Sequence, residues 1–244
     1  MSEDPVKKMY VLVKPGLNKA GRGACPICQN VCMQVFLKIE QNNQLNAEII
    51  SLDPNTRHRA GYSITKLPML IHGDVALTSV DDISEYLDKL IPEDHILTRF
   101  NSDANKAQSD VFSRFCFFMK NNSPPDALIS ELTKLDKYLR NNGSKFLVGD
   151  ELSAMDCSLL PKLHHIRIVG FTVKSFVIPR KLSALWNYLH SAYEQHCFKV
   201  TCPSDQEIIA HWLKDSLIIN EMLLLEPTYT MTVTDAGDDD DIQL

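Results

Sequence analysis

The chain has 244 residues, of which 44% are hydrophobic and 23% are charged, so it is long enough to bury one large core or two ordinary ones. Nine glycines, twelve prolines and seven cysteines are too few for a collagenous chain or a disulfide-rich scaffold. The net charge of −6 is mostly due to Asp235 and Asp238–Asp241 near the carboxyl end. Because lysines and arginines are scattered and form no basic run, we do not expect a nucleic-acid partner.

The amino terminus, MSEDPVKKMY, contains acids and lacks the apolar stretch of a secretory signal. We therefore expect a cytoplasmic protein whose cysteines are kept reduced. The charge-free stretch Gly23–Leu37 is shorter than the roughly 18–20 apolar residues that cross a bilayer, so no ordinary transmembrane helix is predicted.

The first ninety residues predict a mixed α/β unit. Met9–Val13 is a short apolar run that ends at Pro15, which is typical of a buried strand followed by a turn. Apolar residues recur at helical spacing over Cys28–Ile39, and Pro26 suits the first turn of that helix. The further predicted elements are strands at Leu45–Leu52, Leu67–Ile71 and Val75–Leu77, and a helix at about Val80–Leu90.

The sequence after Pro92 has almost no strand signal and predicts an all-helical unit. Ser153 is placed as a helix N-cap, with Asp156 as the acid at the third helical position. The predicted helices are Asp110–Lys120, Asp126–Arg140, Ser153–Ile168, Lys181–His196 and Ser204–Leu225. We therefore expect an α/β domain over residues 1–93, an all-helical domain over 94–233 and an acidic, disordered tail over 234–244.

Two cysteines, Cys25 and Cys28, stand at motif spacing where the first predicted helix begins. The thiolate is the reactive form of cysteine, and a helix N-terminus favours negative charge. A second thiol one turn along can resolve a mixed disulfide formed on the first. The functional hypothesis is therefore thiol–disulfide exchange in which Cys25 attacks and Cys28 resolves. The alternative is that both are small buried apolar residues, which is the interpretation we prefer for Cys32.

Three other features of the sequence give weaker indications of a functional site. A zinc site is not expected, because the other close cysteine pair, Cys197 and Cys202, has a four-residue gap and lies in the helical domain. The pair His164-His165 is predicted to be packed or solvated. Pro68 opens a predicted strand, and the residues alone favour a trans bond after Leu67.

Three segments carry motifs of a known family: Gly21–Gln29 with its Cys-Pro-Ile-Cys, Lys66–Pro68, and the run Phe146–His164. They resemble the chloride intracellular channel family, and the resemblance extends from about Lys14 to about Leu217. This family has the glutathione transferase architecture. The resemblance therefore implies a thioredoxin-like N-terminal domain with a mixed sheet, followed by an all-helical glutathione-transferase-like C-terminal domain.

The resemblance also implies glutathione as the cofactor. It implies that Cys25 reacts with glutathione. Pro68 is implied to be a cis-proline whose neighbouring backbone pairs with glutathione, and Leu67 and Ser79 are the other implied binding residues. In the family, a pair of polar residues at the start of the helix after the hairpin contacts the γ-glutamyl group of glutathione. In this chain the pair is Ser79 and Val80, and valine supplies no side-chain hydrogen bond. Many vertebrate members have a serine where this chain has Cys28, so a dithiol mechanism is open here beside a monothiol one.

The family is also named for a chloride conductance that follows a transition from a soluble to a membrane form. Residues 25–50 correspond to the segment proposed to insert. Charges such as Lys38 and Glu48 within it each cost ~2.5–3.5 kcal/mol at the centre of a bilayer, so the amphipathic face of residues 28–39 fits a lipid surface better than a span. The sequence leaves three functions open: an oxidoreductase, a channel, and a redox-sensitive adaptor that binds protein partners without turnover.

Overall fold

The structure, a computed structural model, describes residues 8–17, 21–42, 44–53, 55–56, 58–59, 61–91, 95–121, 123–213, 221–222 and 224–231. The predicted acidic tail lies outside these residues, and so does the predicted domain boundary between residues 93 and 94.

The first part of the chain is built around a mixed sheet. Its elements in chain order are β1 (Met9–Val13), α1 (Pro26–Gln41), β2 (Ala47–Ser51), β3 (His58–Arg59), β4 (Tyr62–Ser63), β5 (Met69–His72), β6 (Val75–Leu77) and α2 (Val80–Leu90). Four of the strands form the sheet, in the order β2-β1-β5-β6. Strand β1 pairs in parallel with β2 and antiparallel with β5, and β5 forms a hairpin with β6. This is the predicted β-α-β, β-β-α order, with an added two-stranded hairpin of β3 and β4.

Side chains of β1 alternate between two apolar clusters, because successive residues of a strand point to opposite faces of the sheet. Met9, Val11 and Val13 pack against α1, where their neighbours include Val31 and Val35. On the opposite face Leu12 packs with residues of β5 and of the loop before it. Both faces of β1 are therefore covered, as its continuous apolar run predicted.

The second part of the chain is helical. Its elements are α3 (Ser102–Gln108), α4 (Val111–Lys120), α5 (Asp126–Asn142), α6 (Ala154–Lys174), α7 (Ser183–Glu194), α8 (His196–Thr201) and α9 (Asp205–Leu213). The prediction missed α3, ended α6 six residues early, and missed α8 beyond its first residue, because the helix predicted over Lys181–His196 ends there. In the predicted helix Ser204–Leu225, residues 214–220 lie outside the described range and residues 224–231 are not helical.

The start of α6 confirms the predicted N-cap pair. The Asp156 carboxylate accepts the backbone N–H and hydroxyl of Ser153 at 2.9 and 2.6 Å, together with the Leu147 N–H and the Tyr188 hydroxyl. Burial raises the pKa of Asp156, and these four hydrogen bonds act in the opposite direction. The motif therefore fixes both the start of α6 and its contacts with the preceding loop and with α7.

A buried ion pair secures the far end of α1. Lys38 Nζ lies 2.8 Å from Asp88 Oδ1, and neither side chain is more than 2% exposed. The carboxylate of Asp88 also accepts the backbone N–H and the hydroxyl of Thr98, both at 2.8 Å. Asp88 therefore ties α1 and α2 to the segment that leads into the helical part of the chain.

We expect Asp88→Ala to lower the free energy of unfolding by about 3 kcal/mol, because it removes the carboxylate beside a buried ammonium group. Burial raises the pKa of Asp88, but hydrogen bonds from Lys38 and Thr98 outweigh it, so the pKa is lowered. The contribution should therefore be complete above the ordinary value of 3.8 and disappear as the pH falls through the lower folded value. Urea denaturation at pH 7 measures the effect. The matched variant Glu85→Ala, which breaks an exposed pair on the same helix, should cost less than about 0.5 kcal/mol, and equal losses would contradict the expectation.

Candidate active site

The loop between β1 and α1 folds back on itself and brings Cys25 to the end of the sheet. The Gly23 N–H donates to the Lys14 carbonyl at 3.0 Å, and Pro15 and Arg22 form an isolated antiparallel bridge. A Cβ atom at Gly23 would lie 2.3 Å from the Pro15 carbonyl oxygen, so this close approach requires glycine. The tight loop holds Cys25 at the first turn of α1.

Cys25 is the N-cap residue of α1, in an extended conformation, and Pro26 occupies the first helical position. Its side chain is 7% exposed. The pKa of the Cys25 thiol is lowered to about 5, first because the Cys28 thiol donates a hydrogen bond to its sulfur. Burial opposes this effect, whereas the backbone N–H groups of Cys28 and Ile27 and the charge of Lys14 add to it. The hydrogen bond from Cys28 therefore favours the thiolate form of Cys25.

Cys28 and Cys32 lie on the same face of α1 as Cys25, but the pKa of each of these two thiols is raised. Cys28 is 3% exposed, and its pKa is raised because its proton is held in the hydrogen bond to Cys25 and because it is buried. Burial raises the pKa of Cys32 to about 12. On this face of α1, one thiol therefore has a lowered pKa and two have raised pKa values, and Cys32 is confirmed to belong to the core.

The peptide bond between Leu67 and Pro68 is cis. The trans bond favoured by the residues alone is wrong, and the cis-proline implied by the family resemblance is present. Pro68 is buried, whereas Leu67 is half-buried and lines a cleft of about 540 Å³. Lys14 and Lys66 line the same cleft, which therefore lies beside the loop that carries Cys25.

Ser79 is the N-cap of α2, and its hydroxyl oxygen accepts the Asp82 N–H at 3.4 Å. The next residue, Val80, packs against the same apolar cluster as Cys25, whereas Leu67 packs against the cluster on the other face of the sheet. The start of α1 and the start of α2 thus contact the same apolar cluster, whereas the Leu67 side chain lies on the other face of the sheet.

Sequence reasoning missed two side chains of α9, one that contacts the loop before Cys25 and one within electrostatic range of Cys25. Glu207 of α9 accepts the Leu17 N–H through both carboxylate oxygens, at 2.9 and 3.1 Å. One helical turn later, His211 lies within electrostatic range of Cys25 and Lys14. Burial lowers the pKa of His211, the Cys25 thiolate raises it and Lys14 lowers it. No local pattern links these positions, because only the packing of α9 brings them to the loop.

The histidine pair on α6 is packed, as predicted. His164 Nδ1 lies 3.0 Å from the Tyr193 hydroxyl, and the Trp212 indole N–H donates to His165 Nδ1 at 3.1 Å. Burial lowers the pKa of both histidines, to about 3 for His164. In the part of the chain that the structure describes, no three His, Cys, Asp or Glu side chains are grouped in a way that fits a metal ion.

Comparison with known proteins gives the class of this fold. Residues 126–191 match the family described as Glutathione S-transferase, C-terminal domain. The structure is similar to the CLIC homologue EXC-4 from Caenorhabditis elegans, with a TM-score of 0.81, 23% identity and coverage of 93% of this chain and 94% of that one. It is also similar to Chlamydomonas reinhardtii dehydroascorbate reductase, with a TM-score of 0.68, 23% identity and coverage of 86% and 99%. The predicted thioredoxin-like sheet domain followed by a glutathione-transferase-like helical domain is confirmed.

Two curated relatives define the family within this class. The Chloride intracellular channel Clic of Drosophila melanogaster is 31% identical over 94% of this chain and 91% of its own length. The Chloride intracellular channel exl-1 of Caenorhabditis elegans is 37% identical over 63% of this chain and 66% of its own length. The chain therefore belongs to the chloride intracellular channel family, as the motifs indicated.

The difference in pKa between the cysteines predicts how alkylation depends on pH. In the wild type, the rate of Cys25 alkylation by iodoacetamide should rise with a midpoint near pH 5, because only the thiolate reacts. Cys28→Ala should move the midpoint towards the ordinary value of 9, whereas Cys28→Ser, whose hydroxyl can still donate, should keep most of the shift.

Mass spectrometry of the peptide that contains Cys25 gives the rate at each pH. Cys32→Ala is the matched control, because it removes a buried thiol from the same face of α1 without removing the donor to Cys25. A midpoint near pH 9 in the wild type would contradict the proposed thiolate.

Proposed function

We propose that the protein is a glutathione-dependent thiol–disulfide oxidoreductase of the glutaredoxin type, with Cys25 as the nucleophile. The observation that carries this proposal is the position of the Cys25 sulfur at the N-cap of α1, where a hydrogen bond from the Cys28 thiol lowers its pKa. A thiolate with a low pKa is also a good leaving group, and both properties serve disulfide exchange. A reducing cytoplasm, which the sequence predicts as the location, supplies glutathione as the reductant.

The proposed reaction has two exchange steps. The Cys25 thiolate attacks the glutathionyl sulfur of a mixed disulfide, the disulfide bond breaks, and the departing thiolate takes a proton from solvent. A second glutathione thiolate then attacks the glutathionyl sulfur on Cys25, which gives glutathione disulfide and restores the Cys25 thiolate. In total, one glutathione from solution is consumed, the other half of the mixed disulfide is released as a thiol, and the glutathionyl group of the mixed disulfide leaves as part of glutathione disulfide.

Cys28 acts first as a hydrogen-bond donor in this proposal. Its proton stabilises the Cys25 thiolate, and a thiol that keeps its proton does not attack. In the dithiol route, Cys28 instead attacks the mixed disulfide at Cys25 and forms an intramolecular disulfide. The test below distinguishes the two routes, because a serine at position 28 can donate a hydrogen bond but cannot form that disulfide.

Glutathione is proposed to lie between the starts of α1 and α2, with its cysteinyl sulfur at Cys25. The backbone beside the cis-proline, at Leu67 and Pro68, would pair with its cysteinyl backbone, and Ser79 would contribute a hydroxyl donor. Lys14 and Lys66 line the cleft next to Leu67, so this cleft fits the negatively charged glycyl end.

Glutathione-coupled reduction of the mixed disulfide between glutathione and 2-mercaptoethanol tests the proposal. Cys25→Ala should reduce turnover to the uncatalysed rate, because it removes the only group to which the glutathionyl moiety is transferred. Cys28→Ser should keep activity within a few-fold if the route is monothiol and lose it if the route is dithiol. Cys116→Ser, a half-buried cysteine on α4, is the matched control and should not change the rate. Absence of turnover in the wild type would overturn the enzyme proposal.

Chloride conductance, the activity in the names of the two relatives, is the second function that we propose for this family member. Among the described residues, no helix combines the length and the apolar character that a membrane crossing needs. Conductance that involves α1 would therefore require it to leave its packed position, which includes the buried pair of Lys38 and Asp88.

We expect Asp88→Asn to increase chloride efflux from liposomes several-fold over the wild type, because it weakens the bond that holds α1 against α2. Glu85→Gln on the exposed face of the same helix should leave the efflux unchanged. Efflux that is absent in the wild type, or equal in all three proteins, would argue against a conducting form that depends on the release of α1.

A further inference from the structure

The first turn of α9 contacts the loop that leads to Cys25. Glu207 lies 190 residues after Leu17 in the chain, and its carboxylate accepts the Leu17 backbone N–H through both oxygens, at 2.9 and 3.1 Å. The residue before Leu17 is Gly16, where a Cβ atom would lie 2.5 Å from Glu207 Oε1. The carboxylate of Glu207 therefore packs directly against two consecutive residues of the loop.

Glu207 is held in a rigid part of the molecule. The next two residues of α9, Ile208 and Ile209, are buried in the core of the helical part, and the backbone N–H of Glu207 donates to the Ser204 hydroxyl at 3.3 Å. Burial raises the pKa of the half-buried Glu207, and the hydrogen bond from Leu17 acts in the opposite direction. The carboxylate is thus partly removed from water, and the Leu17 N–H replaces part of its hydration.

Hydrogen bonds inside the loop connect this contact to the nucleophile. The Gly16 N–H donates to the Gly21 carbonyl at 2.7 Å. Further along, the Gly23 N–H donates to the Lys14 carbonyl at 3.0 Å, and the Cys25 N–H donates to the Gly23 carbonyl at 2.9 Å. The two sides of the loop are therefore bonded to each other, so a contact that fixes the outer part of the loop also fixes Lys14 relative to Cys25.

The position of Lys14 affects the proposed site in two ways. The hydrogen bond from Cys28 is the largest cause of the lowered pKa of Cys25, and the positive charge of Lys14 acts in the same direction. Lys14 and the two loop residues that Glu207 contacts also line the cleft of about 540 Å³ beside Leu67. The segment that Glu207 holds therefore contributes both to the electrostatics of the nucleophile and to the wall of the proposed glutathione cleft.

We propose that Glu207 is a positioning residue for the oxidoreductase: it holds the loop at Leu17, and it thereby keeps Lys14 beside Cys25 and shapes the wall of the glutathione cleft. This inference rests on the proposed function, because that function makes Cys25 the nucleophile. It gives the helical part of the chain a role at the site, since α9 fixes the geometry of a loop that belongs to the sheet-containing part.

Glu207→Ala removes the acceptor of the Leu17 N–H and tests the proposal. The midpoint for alkylation of Cys25 by iodoacetamide should rise by about half a pH unit, because the loop no longer holds Lys14 beside the thiolate. In the coupled assay with the mixed disulfide of glutathione and 2-mercaptoethanol, KM for glutathione should rise about threefold while kcat stays within about twofold. A direct charge effect has the opposite sign, since the loss of a nearby carboxylate would lower the midpoint.

Two further variants separate the contact from the charge. Gly16→Ala puts a methyl group next to Glu207 Oε1, so the carboxylate must move away from the loop, and this variant should reproduce both changes. Glu207→Gln keeps one acceptor oxygen without the charge, and it should retain most of the wild-type midpoint and KM.

Asp136→Ala is the matched control, because Asp136 also accepts a backbone N–H from another element, that of Leu185 at 3.0 Å, in a contact between α5 and α7. It should lower the free energy of unfolding but leave the midpoint and KM unchanged. The inference is overturned if Glu207→Ala behaves in the same way, or if its midpoint falls. If the wild type shows no turnover, the proposed function fails, and the midpoint still decides whether Glu207 positions Cys25, because alkylation requires no turnover.

Discussion

The candidate site depends on the burial of α1 between the sheet and the helical part of the chain. Val31 and Val35 pack on β1, while Met33, on another face of the same helix, belongs to the core of the helical part. A helix N-terminus stabilises a thiolate only if the sulfur stays beside the first turn, and the tight loop through Gly23 keeps it there. The low pKa of Cys25 has its largest cause inside the Cys-Pro-Ile-Cys motif, in the hydrogen bond from Cys28, and the packing of α1 holds the two sulfurs in place.

The two ends of α1 have complementary electrostatics. No acid lies in its first turn to repel the Cys25 thiolate, and Lys38 in its last turn carries the positive charge that a helix C-terminus favours. The partner of Lys38, Asp88, is on α2, whose first turn contributes to the proposed glutathione site. The same two helices thus position both the Cys25 sulfur and the start of α2. A substitution that weakens the Lys38–Asp88 pair would therefore also change the positions of these groups.

The sequence predicted the parts of the structure that local patterns determine: the bounds of β1, β6 and α2, the place of Cys25 at the start of α1, and the capping pair at α6. It missed β3 and β4 because two-residue strands carry too few side chains for an alternating pattern. It missed α3 because only Ala104 of that helix is buried, so no apolar face marks it. His211 approaches Cys25 through tertiary packing over a long sequence separation, which no spacing rule reveals. The cis bond at Pro68 came from the family resemblance and not from the residues.

In the proposed exchange, the hydrogen bond from Cys28 to Cys25 favours one of the two routes. While Cys25 is a thiolate, Cys28 keeps its proton, so the two sulfurs cannot both be nucleophiles. Once Cys25 carries glutathione, its negative charge is gone and Cys28 loses that acceptor, but burial still raises the pKa of its thiol. A glutathione molecule in solution has no such burial and forms its thiolate more readily. At cellular concentrations of glutathione, release by a second glutathione should therefore outpace attack by Cys28, and the second cysteine would serve mainly to keep the first one ionised.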